Sequence, residues 1–188
     1  MANLVETREF TAVENRIEIL LGDQSKVLVC IDGPAGSGKT TLANYLAERF
    51  PNANLVHADD LYAGWDTPIS TEFANRVIRQ IINPHLSGEQ SNYSVYNWIE
   101  KSFNERQFLN PKPLLILEGV GVGMRSIRKY ADLLVFIEID ATTGLHRVLA
   151  RDGISISSEM ANWQEMEQIH FENDETKKAA DFVIDGSL

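Results

Sequence analysis

Residues 33–40 read Gly33-Pro34-Ala35-Gly36-Ser37-Gly38-Lys39-Thr40, and this stretch decides the fold. An apolar, β-branched run at residues 26–31 precedes it and predicts a buried strand, and residues 40–50 are expected to continue as a helix. The pattern Gly-x-x-x-x-Gly-Lys-Thr, placed between a strand and a helix, is typical of a loop that holds the phosphates of a nucleotide. We therefore expect this chain to bind the phosphate tail of ATP.

The positions of this loop have separate roles in phosphate binding. Glycines let backbone N–H groups curl around a phosphate, and the helix that follows directs its positive end at the anion. Lys39 is expected to reach the β- and γ-phosphates, and the Thr40 hydroxyl to ligate Mg²⁺. The predicted nucleotide-binding residues are Gly33, Pro34, Ala35, Gly36, Ser37, Gly38, Lys39, Thr40 and Thr41.

Length and composition favour one compact domain over residues 1–188, with 44% hydrophobic residues. The formal charge of −10 argues against binding to nucleic acid or to an anionic membrane surface. The only cysteine, Cys30, cannot form an internal disulfide, and it is expected to be a buried thiol in a cytoplasmic protein. Residues 1–25 contain an amphipathic helix and lack the unbroken apolar stretch of a signal peptide, so a soluble protein is expected.

Strands and helices alternate along the chain. Further strands are expected at residues 54–57, 114–117, 133–139 and 181–184, and helices at 70–86, 124–130, 142–151 and 159–171. Asn83-Pro84 is expected to end or bend the first of these helices, and residues 90–98 to be extended or to form a hairpin. This order predicts an α/β fold, a three-layer α/β/α sandwich with a mostly parallel five-stranded sheet and a short lid at about residues 150–160.

Two adjacent carboxylates, Asp59 and Asp60, follow the second predicted strand, and Glu118 closes the third. Parallel sheets bind ligands beyond the carboxyl ends of their strands, which is also where the phosphate loop lies. An acidic residue near the γ-phosphate can accept the proton of an attacking hydroxyl or help to hold Mg²⁺. The predicted metal-binding residues are Thr40, Asp59 and Glu118, and the choice of base between Asp59 and Asp60 stays open.

Two other classes of phosphate-loop protein are disfavoured. A GTP-binding switch would carry Asp-x-x-Gly after its second strand and Asn-Lys-x-Asp later, and neither pattern occurs here. Residues 86–90, Leu-Ser-Gly-Glu-Gln, nearly match the signature peptide of ABC transporter ATPases. They stand too near the phosphate loop for that class, and the residues after them favour extended structure.

The chain resembles the uridine kinase group of P-loop kinases in four motifs. Besides the phosphate loop these are Asp59-Asp60-Leu61-Tyr62, Glu118-Gly119 and Arg147-Val148-Leu149-Ala150-Arg151-Asp152. The resemblance implies that Asp59 is the catalytic base and that Arg147 and Arg151 belong to a lid. More narrowly, the motifs at residues 59–65, 96–98 (Tyr96-Asn97-Trp98) and 118–121 together resemble those of bacterial uridine kinase-like ATP-binding proteins. Authentic uridine kinases carry Tyr-x-x-Asp-x-Pro in this region, so uridine itself is not implied.

The expected activity is transfer of the γ-phosphoryl group of ATP to a hydroxyl of a small molecule, for which a nucleoside is one candidate. The predicted catalytic residues are Lys39, Asp59, Arg147 and Arg151, and the predicted acceptor-binding residues are Asp59, Tyr62, Tyr96, Trp98 and Glu118; Trp65 is a further ring that could stack on an acceptor. Two alternatives stay open: an ATPase or regulatory protein without an acceptor, and a kinase of nucleotides or cofactor precursors. The oligomeric state is open as well, with a homo-oligomer among the options.

Overall fold

Seven strands and eight α-helices make up the part of the chain that the computed structural model describes, residues 8–66 and 68–187. The strands are β1 Val27–Asp32, β2 Ala53–His57, β3 Ser91–Asn97, β4 Ser102–Leu109, β5 Leu114–Glu118, β6 Leu133–Glu138 and β7 Phe182–Asp185. The helices are α1 Arg8–Asp23, α2 Lys39–Arg49, α3 Thr71–Val77, α4 Asn83–Ser87, α5 Arg125–Arg128, α6 Ala141–Asp152, α7 Ser157–Asp174 and α8 Thr176–Ala179.

Five of the strands form a parallel sheet in the order β2-β5-β1-β6-β7. The register pairs Glu118 at the end of β5 with His57 on β2 and with Ile31 on β1. The carboxyl ends of the three strands therefore meet, and the residues that follow β1 and β2 begin beside Glu118. This edge of the sheet is where parallel α/β folds bind their ligands.

Two apolar cores cover the two faces of the sheet. On one face, α1 and α2 pack their buried residues against alternate side chains of β1, including Val27 and Val29. On the other face, Leu28 and Cys30 pack with residues from α3, α6 and α7. This is the three-layer α/β/α sandwich that was predicted, and Cys30 is the buried free thiol expected from its apolar surroundings.

The helical region after residue 70 differs from its prediction. Ser70 caps α3 by accepting the N–H of Phe73, as a serine at a helix start should. Of the two outcomes expected at Asn83-Pro84, an end or a bend, the helix does not end there, because a turn of π-helix at Ile78–Ile82 leads directly into α4. Pro84 is tolerated in the first turn of α4, where its missing N–H costs least. The helical path ends at Gly88, which has a left-handed backbone conformation.

The predicted extended segment at residues 90–98 forms β3, and it pairs antiparallel with β4 in a hairpin outside the main sheet. β4 was not predicted, because its polar residues are largely exposed and lack a strand's alternation of buried and exposed positions. The hairpin projects Trp98 towards the end of β2, where its indole N–H donates to the Asp59 carbonyl over 3.1 Å.

The N-terminal helix is part of the core. Phe10, Val13, Ile17 and Leu20 of α1 are buried against the sheet, with at most 6% of each side chain exposed. Glu14 anchors the helix to α2 by accepting hydrogen bonds from Tyr45 and Arg49. The prediction of an amphipathic helix is confirmed for residues 8–23, while residues 1–7 lie outside the described part of the chain. None of the described helices is long and apolar enough to cross a bilayer.

Ile17→Ala is expected to lower the free energy of unfolding by about 2–5 kcal/mol, because it opens a cavity where the side chain is fully buried. Ile19→Ala on the same helix is the matched control, since Ile19 is 55% exposed, and its effect should stay within about 1 kcal/mol. Urea denaturation followed by circular dichroism measures both. Equal losses would show that α1 does not dock on the sheet as described.

Candidate active site

The phosphate loop, residues 33–40, curls between β1 and α2 as its sequence predicts. Gly36 has φ +77°, and a Cβ atom there would lie 2.3 Å from the Gly144 carbonyl oxygen of α6. Gly38 has φ +100° at the start of α2, with open space where a Cβ atom would stand. Both positions therefore need glycine, and together they leave a concave backbone surface at the positive end of a helix.

Two polar side chains inside the loop fit a phosphate ligand. Lys39 Nζ donates to the carbonyl oxygens of Gly33 and Pro34, both over 2.8 Å, so its ammonium lies within the curve of the loop. Ser37 Oγ is buried and has no hydrogen-bond partner among the described residues. A buried hydroxyl without a partner is costly, and a phosphate oxygen would satisfy it.

Asp32, the last residue of β1, ties the phosphate loop to the loop after β5. Its fully buried carboxylate accepts the N–H of Gly33 over 2.7 Å, that of Gly121 over 2.9 Å and that of Gly123 over 2.7 Å. Burial raises the pKa of Asp32 to about 6, although the three N–H donors and the charge of Lys39 favour the ionised form. This carboxylate fixes the two loops relative to each other.

Glu118 lies beside the phosphate loop, as predicted from its place at the end of β5. The carboxylate is 5% exposed, and its Oε1 accepts the Thr40 hydroxyl over 3.1 Å. The same oxygen is 2.6 Å from His57 Nδ1, and this hydrogen bond raises the pKa of His57 above its ordinary value. Thr40 and Glu118 thus bring a hydroxyl and a carboxylate together, the oxygen donors that Mg²⁺ prefers.

The structure separates the two adjacent aspartates. Asp59 lines the cavity in front of the phosphate loop, where its side chain still meets solvent but lies within the cleft. Partial desolvation in the cleft, with the negative charge of Glu118, raises the pKa of Asp59. Asp60 does not line this cavity, and the main charge acting on it is that of His57. Of the two aspartates, Asp59 is therefore the one that faces the cavity.

No group of three or more His, Cys, Asp or Glu side chains within residues 8–66 and 68–187 converges on a point that could hold a metal ion. Mg²⁺ in phosphoryl-transfer sites usually has one or two protein ligands and takes its other ligands from phosphate and water. Thr40 and Glu118, already 3.1 Å apart at their oxygens, suit that mode of binding. Asp59, the third predicted ligand, faces the same cavity.

The two predicted lid arginines have different partners. Arg147 donates to the carbonyl oxygens of Gly186, over 2.7 Å, and of Gly36, over 3.3 Å, so it joins the phosphate loop to the segment after β7. Arg151, one helical turn later, forms two hydrogen bonds with the carboxylate of Asp152. Both arginines line the cavity, and Arg151 also acts electrostatically on Asp59. Their contact with phosphate stays a prediction.

Aromatic side chains form part of the wall of the cavity that the phosphate loop lines. The acceptor wall consists of Trp65, Trp98 and Trp163, with the Trp65 ring 5.1 Å from that of Trp98 and 5.8 Å from that of Trp163. Tyr62 lies deeper, almost fully buried, and its hydroxyl donates to the Val120 carbonyl over 2.7 Å. Tyr96 does not line the cavity but packs edge-on against Trp98. Of the predicted acceptor-binding aromatics, Trp98 is therefore the best placed for direct contact, and Tyr96 supports it.

These parts share one cavity of about 710 Å³. Its lining includes the phosphate loop, Asp59, Glu118, Arg151 and the acceptor wall. A volume of this order suits a ligand larger than a phosphate group alone. A phosphate donor and a ring-bearing acceptor can therefore lie within a single cleft.

Four residues around the site were not predicted as functional: Asp32, His57, Trp163 and Glu167. His57 and Asp32 stand next to predicted site residues, and their position at strand ends was the available signal. Trp163 is 6% exposed and belongs to the core, but it also reaches the cavity. Glu167 follows Trp163 by four residues, the spacing of helix neighbours.

A family model described as the phosphoribulokinase/uridine kinase family matches residues 65–185 of the chain. The chain belongs to this family. The match covers Glu118-Gly119 and the segment of α6 that contains Arg147 and Arg151. The family resemblance inferred from the sequence is therefore confirmed. The phosphate loop lies outside the matched residues and rests on its own pattern and geometry.

Named members of the family show similarity over most of their length. A uridine kinase of Brevibacillus brevis is 26% identical over 181 residues, which covers 84% of this chain and 84% of that protein. A uridine kinase of Chlamydia pneumoniae is 24% identical over 184 residues, covering 86% of this chain and 82% of that protein. The family and these relatives support a small-molecule kinase of the P-loop type.

Solved structures share the fold. A possible uridine kinase from Bacillus stearothermophilus superposes with a TM-score of 0.66 at 19% identity, covering 93% of this chain and all of that one. The D-glycerate 3-kinase of Cryptococcus neoformans gives a TM-score of 0.60 at 11% identity, with 97% of each chain covered. At these identities the likeness shows a shared architecture and leaves the acceptor to be argued from the site.

Asp32→Asn is expected to change how stability depends on pH. The native pKa of about 6 lies above the ordinary value of 3.8, so protonation of Asp32 stabilises the native state as the pH falls. That contribution is complete below the ordinary pKa and is lost as the pH rises through about 6. The wild-type free energy of unfolding, relative to that of Asp32→Asn, should therefore fall by up to about 3 kcal/mol between pH 4 and pH 7.

Chemical denaturation at several pH values measures this difference. Asp23→Asn, at an exposed position at the end of α1, is the control and should follow the wild type throughout. Parallel stability curves for the wild type and Asp32→Asn would contradict the raised pKa.

Proposed function

We propose that the protein transfers the γ-phosphoryl group of ATP, bound with Mg²⁺, to a hydroxyl of a ring-bearing small molecule, with nucleosides as the first candidates. The observation that carries the proposal is the shared cavity, in which a phosphate loop, the carboxylate of Asp59 and an aromatic wall face one another. We place the reaction in the cytoplasm, where the free thiol of Cys30 would stay reduced.

Each of these residues has a separate role in the proposed phosphoryl transfer. The oxygen of the acceptor hydroxyl attacks the γ-phosphorus, and Asp59 accepts the proton of that hydroxyl. The bond from the γ-phosphorus to the β–γ bridging oxygen breaks at the same time, and ADP departs. Lys39 and Arg151 neutralise charge on the moving group, and the backbone N–H groups of the loop hold the phosphates that stay behind. Thr40 and Glu118 would hold Mg²⁺, which neutralises phosphate charge when bound.

The acceptor wall supports an acceptor with a flat ring. The indole N–H of Trp98 donates to the Asp59 carbonyl, and that of Trp163 donates to the Glu167 carboxylate. They can therefore offer an acceptor their ring surfaces, which favour stacking over hydrogen bonding. The curated relatives are named uridine kinases, which makes a nucleoside the first compound class to test.

The decisive experiment measures ADP release from ATP with and without a panel of nucleosides, sugars and vitamins. We expect at least one ring-bearing acceptor to raise the rate, and mass spectrometry to find that acceptor heavier by one phosphoryl group. Equal ADP release in all samples would overturn the kinase proposal and indicate an ATPase. A phosphorylated product that already carried a phosphate would indicate a nucleotide or cofactor-precursor kinase.

Asp59→Asn is expected to lower kcat by about 10²–10⁴-fold, because the amide cannot accept the proton of the acceptor hydroxyl. Asp60→Asn is the matched control one residue away and should keep kcat within about threefold, since Asp60 does not line the cavity. Steady-state kinetics with the best acceptor of the panel compares the two variants. Full activity in Asp59→Asn would exclude it as the base, and loss in Asp60→Asn alone would transfer the role.

A further inference from the structure

Glu167, on α7, is a buried carboxylate that phosphoryl transfer does not account for. The residue is only 4% exposed. One oxygen, Oε2, accepts the backbone N–H of Ala35 over 2.9 Å and the indole N–H of Trp163 over 3.0 Å. Ala35 belongs to the phosphate loop and Trp163 to the acceptor wall, so a single atom touches both halves of the cavity.

The bond to Ala35 holds one particular peptide unit of the phosphate loop. The carbonyl oxygen of this Pro34–Ala35 unit accepts Lys39 Nζ over 2.8 Å, and its N–H donates to Glu167. Lys39 is the group expected to reach the phosphates, so a nucleotide competes with this carbonyl for its ammonium. When that contact weakens, the peptide unit keeps two partners: Ser37, whose N–H donates to the Pro34 carbonyl over 3.2 Å within the loop, and Glu167, its partner outside the loop. A change in the loop therefore reaches α7 through Glu167.

The other bond carries the connection to the acceptor wall. Trp163 stands one helical turn before Glu167, and its ring packs edge-on against Tyr62, at 5.2 Å, and Trp65, at 5.8 Å. The indole is 6% exposed and reaches the cavity. Tight packing of this kind passes on a small shift of one ring to its neighbours, because a close-packed interior has little free volume.

A carboxylate is an electrostatically unfavourable side chain for this buried position. Burial raises the pKa of Glu167, and the negative charge of Asp32 acts in the same direction. A carboxylate next to a loop that takes up a polyanion is also electrostatically unfavourable. What a carboxylate adds is strong acceptor capacity, since hydrogen bonds from N–H groups to an ionised oxygen are shorter and stronger than those to a neutral one.

We propose that Glu167 is a positioning residue that couples the phosphate loop to the acceptor wall, so that nucleotide binding at the loop moves the ring of Trp163. The proposal rests on nucleotide binding at the loop, which is part of the proposed function. It gives α7 a second task besides lining the cavity with Met160 and Trp163. Binding of the phosphate donor then prepares the surface that receives the acceptor.

The test follows Trp163 directly, without an acceptor. Labelling with 5-fluorotryptophan gives three ¹⁹F NMR resonances, one for each tryptophan of the chain, and Trp163→Phe identifies the relevant one. Titration with MgADP is expected to shift the Trp163 resonance in the wild type. The shift should be abolished in Glu167→Leu, because leucine has a similar size but cannot accept the hydrogen bonds of Ala35 and Trp163. It should be partly restored in Glu167→Gln, whose amide oxygen can accept them.

Glu165→Gln is the matched control on the same helix, because Glu165 is exposed, and it should respond to MgADP like the wild type. Calorimetry with MgADP is run on each variant, and Glu167→Leu is expected to keep measurable binding, so that a missing Trp163 shift reports lost coupling and not lost ligand. An unchanged Trp163 shift in Glu167→Leu would overturn the coupling. If Glu167→Leu does not fold, Glu167→Gln is the deciding variant. About half the wild-type shift is expected there, because an amide oxygen is a weaker acceptor than a carboxylate. An unchanged shift in Glu167→Gln would overturn the proposal.

The outcomes separate this proposal from the kinase proposal. A Trp163 shift that depends on Glu167, in a protein that phosphorylates no acceptor, keeps the coupling and overturns the kinase. A working kinase in which Trp163 responds equally with and without the Glu167 carboxylate keeps the kinase and overturns the coupling. If MgADP does not bind the wild type at all, both proposals fall.

Discussion

The carboxylate of Asp32 is the constraint on which the geometry of the site depends. It accepts N–H groups from the phosphate loop and from the loop after β5, and so fixes two loops that strand pairing alone would leave free beyond the sheet. Glu118 stands at the start of the second loop and Thr40 at the end of the first. Their 3.1 Å contact, and with it the magnesium site proposed for them, therefore depends on a residue that touches neither.

Several carboxylates of the cleft lie around the phosphate loop, which is itself proposed to bind an anion. Asp32, Asp59, Glu118 and Glu167 all lie near Lys39 in a chain whose formal charge is −10. Three of them have specific N–H or O–H partners: backbone amides for Asp32, Thr40 for Glu118, and Ala35 with Trp163 for Glu167. Asp59 accepts no such side-chain bond among the described residues and keeps contact with solvent. This difference leaves Asp59 available for proton transfer while the other carboxylates hold the site together.

Sequence reasoning succeeded where structure is set by neighbours along the chain. The strand before the phosphate loop, the loop itself and the strand that ends in Glu118 follow from local patterns of apolar and glycine residues. The bond of Asp32 to Gly121 and that of Glu167 to Ala35 could not be read in this way, because the partners lie 89 and 132 residues away in the chain. The π-turn before Pro84 and the polar strand β4 were missed because helix and strand periodicity describe neither.

The connection between α6 and α7 is very short, a single 3₁₀ turn at Ile154–Ile156 after Gly153. Its Ile154 side chain is 74% exposed, and of the two isoleucines only Ile156 lines the cavity. In the proposed reaction, a connection this short leaves the acceptor itself to displace water from the γ-phosphate. A smaller molecule in the cleft would then admit water as a competing nucleophile.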